Sequence, residues 1–115
     1  MAEIDAVRAD RGLDELRRSA RLTRLARDVA ADMGRNGSFS HPSNANGEAL
    51  FWSSGPVSAS DVVQSFLDSP LHRRITLSGQ WRTIGVAAVL VQNAPGAFGG
   101  LDATIVVVEY GPSPS

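Results

Sequence analysis

The chain has 115 residues, with eleven basic against twelve acidic side chains and a net charge of -1. Apolar residues make up 43% and charged residues 20%, the composition of a folded domain, without the basic field of a nucleic-acid binder. Cysteine is absent, which excludes disulfides, thiolate metal sites and a cysteine nucleophile. All eleven basic residues are arginine, which excludes Schiff-base chemistry and a P-loop lysine. No stretch approaches the roughly 18 apolar residues of a membrane span. The alanine-rich, lysine-free composition fits a GC-rich bacterial gene. The start, Met1-Ala2-Glu3-Ile4-Asp5, has neither the charged nor the apolar region of an export signal.

Residues 3–11 read as a short helix with Ile4 and Val7 on one side and Gly12 as its stop. A longer helix is predicted from Asp14 to about Gly34. Leu22, Leu25, Ala26, Val29, Ala30 and Met33 recur at the spacing of a buried stripe, and Asp14 and Glu15 fall in its first turn. Arg17, Arg21 and Arg24 then share a solvated face, with Arg18 and Arg27 nearby. Residues 34–47 are turn chemistry, rich in Gly, Asn, Ser and Pro, interrupted by Phe39 and His41.

Leu50-Phe51-Trp52 suggests a short strand. A third helix starts near Ser58 and is expected to end at Pro70. Two β-rich runs, Thr83 to Gln92 and Ala103 to Tyr110, form a hairpin across a loop from Asn93 to Asp102. The run Ile105-Val106-Val107-Val108 is apolar without alternation, as in a central strand covered on both faces. The expected fold is one α+β domain over residues 1–111, a small, largely antiparallel sheet between helices, with a flexible tail at 112–115.

The chemistry-bearing residues are few. His41 and His72 each follow a turn-forming stretch, and Glu48 stands just before the apolar Leu50-Phe51-Trp52. A carboxylate at the entry to a buried segment needs partners, and imidazoles suit it. Neutral imidazoles and a carboxylate oxygen also make a zinc shell with open positions. Their spacings match no local metal motif, so on the residues alone the plain reading comes first: His41 caps a loop, His72 hydrogen-bonds near a helix end and Glu48 is solvated. Ser40 and Ser69 lie beside histidines but outside any strand–turn–helix nucleophile elbow, so a serine hydrolase has little support.

In order along the chain stand Gly12-Leu13, Phe39-Ser40-His41, Gly47-Glu48-Ala49-Leu50, Ser69-Pro70-Leu71-His72-Arg73 and Ile84-Gly85-Val86. This series resembles the bacterial members of the CAP superfamily, or SCP domain, which includes the cysteine-rich secretory, antigen 5 and pathogenesis-related 1 proteins. The likeness covers about residues 3–111. It implies an α-β-α sandwich and export to the envelope or medium. It also implies a cleft lined by two histidines and two acids, the matching residues being His41, His72 and Glu48. Some members bind a divalent metal such as zinc there, and some have been linked to lipid.

Several positions depart from the pattern. Ser69 stands where a second acid is expected, with Asp68 beside it. Ala49 replaces an asparagine, Phe66 a tryptophan, Leu71 a glycine and Ala87 a strand glycine. One acid fewer predicts a weakly held cation.

The resulting expectation is a secreted or envelope-associated binding domain. His41, His72 and Glu48 hold a divalent ion, and Ser69, Asp68, Arg73 and Trp52 border the ligand, a lipid or envelope component. Two alternatives use the same residues. One is a metal-dependent hydrolase with Glu48 as ligand or general base. The other is a structural interaction module in which the trio is a buried hydrogen-bond network.

Overall fold

A computed structural model describes residues 2–41 and 47–112. The predicted turn at Pro42–Asn46 and the tail residues 113–115 lie outside the described residues. Among the described residues four α-helices and four strands follow in the order α1 (Ala2–Ala9), β1 (Arg17–Arg18), α2 (Ala20–Asn36), β2 (Glu48–Ser53), α3 (Ala59–Asp68), α4 (Pro70–Thr76), β3 (Thr83–Val91) and β4 (Ala103–Gly111), with a 3-10 turn at Gly96–Phe98 between the last two. The strands lie in the order β1-β3-β4-β2. The β1–β3 pair is parallel and the other two pairs are antiparallel.

The apolar run of β4 is explained by this order: it is the strand between β3 and β2, with helices over both faces. Residues 103, 105 and 107 join Leu50 and Ala87 under Ala26, Ala30 and Met33 of α2. Residues 106, 108 and 110 join Ala49 and Ile84 under Ile4 of α1 and Val62, Val63 and Phe66 of α3. The period-two alternation of strand side chains therefore assigns the apolar residues of β2 and β4 alternately to the two cores.

The second helix begins later than its sequence suggests. Residues 14–19 are not helical, and Asp14 and Glu15 lie outside α2. Leu16 turns into the core, 3% exposed, and its N–H is taken by Asp5 Oδ1 at 3.2 Å. The Arg17 and Ser19 N–H groups bond to the carbonyls of Arg82 and Ile84. The sheet edge thus satisfies backbone groups that a helix would otherwise satisfy internally. Ser19 is the actual N-cap, its hydroxyl accepting the Leu22 N–H at 3.2 Å. Arg17 therefore does not share a helical face with Arg21 and Arg24. It lies with Arg18 on an exposed edge strand.

Gly85 lets α2 settle on β3, because a Cβ there would run into the backbone of Leu22 and Thr23.

The other revision concerns Pro70. It ends α3, as its restriction on Ser69 predicts, but it also starts α4 at once, occupying the first helical turn where its missing N–H costs nothing. His72 is consequently a helical residue.

Candidate functional site

Glu48 is the first residue of β2, two residues before the apolar Leu50 with which it shares a face. Gly47 sets its entry. This glycine has φ +62°, and a Cβ on it would strike the Trp81 ring, so the indole packs directly on the backbone before Glu48. Trp81 is held in turn by its Nε1–H on the Ile75 carbonyl at 2.9 Å and by stacking on Tyr110, centroids 5.9 Å apart.

His41 reaches Glu48 from the segment that follows α2. Gly37 closes α2 in the left-handed conformation with its N–H on the Met33 carbonyl. The Gly37 carbonyl accepts the Ala97 N–H, tying this turn to the β3–β4 loop. Phe39 then packs edge-on against the fully buried Phe98, two residues before His41. The His41 Nδ1 lies 2.8 Å from Glu48 Oε1. Because an ionised carboxylate only accepts, Nδ1 is the donating nitrogen, and in the neutral ring Nε2 is then the one with the lone pair. The carboxylate is 2% exposed and the imidazole 41%. A buried acid is thereby joined to a ring open to solvent.

His72 sits in the first turn of α4, half-buried, its ring tilted on Phe66 with centroids 5.4 Å apart. Burial pushes its pKa down, and the charge of a protonated His41 pushes the same way. The two imidazoles are thus close enough to influence each other electrically. The structure brings His41 and Glu48 into contact; His72 is linked to them only through the influence of the His41 charge on its pKa.

Ser69 is half-buried between α3 and α4 and makes no side-chain cap. Asp68 is exposed and accepts from Gln64 Nε2 at 2.9 Å. Arg73 is exposed, without an ion pair to Asp68 or to any other acid among the described residues. Trp52 is four residues along β2 from Glu48, roughly 13 Å at strand rise. It packs edge-on against Phe98, centroids 5.0 Å apart, and so supports the residue that anchors Phe39.

A second acid is present, but from an unexpected element. Glu109 of β4 is 4% exposed and stands directly opposite Glu48 in the strand register. Burial, a hydrogen bond with Glu48 and the Glu48 charge push its pKa up to about 9. In sequence it is the single acid closing the apolar run Ile105–Val108, and only its cross-strand partner, some 60 residues away in the chain, gives it meaning. Among the described residues, no group of three or more His, Asp or Glu is arranged to hold a metal ion.

The arrangement is that of an α-β-α sandwich with a His/Glu group at the start of an edge strand. The model of the CAP, or cysteine-rich secretory protein, family matches residues 1–110, and the chain belongs to that family. Its fold is similar to that of an outer surface protein from Borrelia burgdorferi, at TM-score 0.69 and 20% identity over 94% of this chain and 86% of that one. It is also similar to MpPR-1i, whose crystal structure superposes at TM-score 0.70 with 14% identity over 99% of this chain and 84% of that one. A selenourea-soaked form of MpPR-1i gives TM-score 0.73 and 15% identity over 99% and 88%. At these identities the likeness is one of fold. No curated protein matches the chain in sequence.

Proposed function

We propose that the chain is an exported CAP-type binding domain whose two imidazoles form a weak, open site for a divalent cation such as zinc. The observation that carries this reading is the contact between the buried Glu48 carboxylate and the solvent-open His41 ring. A carboxylate behind an imidazole fixes its tautomer and raises its basicity, the usual support for a metal-binding histidine. His41 Nε2 and the His72 ring would hold the ion, with water completing the shell. Two imidazoles suit zinc as donors but make a weak site. Glu48 supports His41 from the interior. The exposure of His41 weighs against a purely structural network, which would have no need of a solvent-facing ring.

An apolar hollow of about 200 Å³ lies between the sheet and the α1/α3 layer, lined by Ile4, Val62, Val63, Phe66, Val86 and Val106 among others. It falls below the roughly 300 Å³ at which pockets accept drug-sized ligands, so it suits a short acyl segment of an envelope lipid rather than a rigid polycyclic one. Octanoate is expected to shift the methyl signals of Val62, Val63 and Val106 selectively.

Zinc titration followed by histidine ring NMR, run on wild type and His72→Ala, tests the metal site. Both rings should respond together in wild type, and the His41 response should weaken in His72→Ala. Two rings silent at millimolar zinc would end the proposal.

A further inference from the structure

We propose that Glu109 is a positioning residue of this site: from β4 it holds the Glu48 carboxylate in the orientation that fixes His41. The argument begins with the backbone. The Tyr110 N–H donates to the Gly47 carbonyl at 2.8 Å, so residues 47 and 110 form a hydrogen-bonded pair. The next pair in the antiparallel register, Glu48 and Glu109, is then a non-hydrogen-bonded one, in which facing side chains come closest. Both are nearly sealed from water, at 2% and 4% exposure.

Two full negative charges face to face in such a place repel strongly, and a single proton shared between them removes the conflict. Glu109 Oε2 is buried and has no hydrogen-bond partner among the described residues, and the carboxylate directly opposite it in the register is that of Glu48. Glu48 already receives the His41 Nδ1–H on Oε1.

The result is a chain running from interior to solvent. In the proposed chain a proton between Glu109 and Glu48 holds the Glu48 carboxylate, Glu48 accepts from His41 Nδ1–H, and the His41 ring is 41% exposed. With Glu109 absent, the Glu48 carboxylate can rotate about its terminal torsion, which is soft, and the tautomer of His41 loses its enforcement. This inference rests on the proposed function for its purpose, though not for its geometry.

The test reads the His41 ring nitrogens by long-range proton–nitrogen NMR in the metal-free full chain. Wild type and Glu109→Gln should both show hydrogen on Nδ1, because a glutamine amide can donate to Glu48 as a protonated carboxyl does. Glu109→Met, of similar shape but without a donor, should lose that preference, and its zinc affinity should fall about tenfold, as when a metal-binding histidine loses its outer partner. Glu109→Asp, which keeps the acid but is one methylene short, should behave like Glu109→Met and serves if the methionine variant does not fold. A His41 tautomer unchanged in Glu109→Met or Glu109→Asp would overturn the inference, as would Glu109→Gln behaving like Glu109→Met. Zinc-silent rings with a Glu109-dependent tautomer would remove the metal site and leave this inference standing. The reverse pattern would remove the inference alone.

Discussion

The molecule buries two polar clusters of opposite character. One centres on Arg8, only 1% exposed. Its guanidinium donates to the carbonyls of Thr76 and Ser78 at 3.1 and 2.7 Å and more weakly to that of Asp14 at 3.4 Å. The other centres on Glu48 and Glu109, equally buried, but it leaves Glu109 Oε2 without a donor and leads outward to a half-exposed imidazole. The Arg8 cluster is closed: it gathers the carbonyls at the end of α4 and just after it, which would otherwise lack a partner. The acid cluster is open, with unmet hydrogen-bonding capacity and a path to solvent. Equal burial thus separates into structure and site according to what is left unsatisfied.

The closed cluster should be the costlier to break. Arg8→Met strands the Thr76 and Ser78 carbonyls and loosens the end of α4, which carries His72. A loss of about 2–3 kcal/mol is expected, measured by urea unfolding. His41→Ala, by contrast, removes a ring that water can replace at Glu48, and about 1 kcal/mol is expected. Equal costs would erase the distinction between the clusters.

The pH dependence of stability sharpens it further. Glu109 titrates near 9 when folded against an ordinary value of 4.5, so the folded state holds the extra proton between these values. Its contribution is intact below pH 4.5 and is lost as the pH rises toward 9. Glu109→Gln cannot ionise, so relative to wild type it should gain stability between pH 5 and pH 9. A smaller effect of opposite sign comes from His72. Burial and the His41 charge lower its pKa from 6.5, so its contribution is present above that value and declines as the pH falls through the folded-state pKa. His72→Asn should flatten the acid side of the stability curve.

These contrasts also show how far the linear sequence reaches. The α2 stripe, the β3–β4 hairpin and the central place of β4 follow from local periodicity and composition. The structure agrees with each, except that Leu25 at the margin of the stripe is 43% exposed. The sequence alone did not predict β1 or α4. A two-residue strand has no periodicity, and Arg17 and Arg18 pair with a strand 66 positions further on. Pro70 carries the same signal whether it ends a helix or opens one. His41 and Glu48 could be named from their residue types and from the resemblance, whereas Glu109 acquires its partner only through the β2–β4 register. Arg8 was hidden for a related reason. An arginine in a short amphipathic helix looks solvated until the carbonyls that enclose it come back from the far end of α4.

The central claim is that His41 and His72 act as one site. A double-mutant cycle on zinc affinity, using His41→Ala, His72→Ala and the pair, tests it most directly. Each single variant should fall to the background of the double variant, so that the second substitution costs almost nothing. Independent losses that simply add would mean two unconnected imidazoles and would contradict the account.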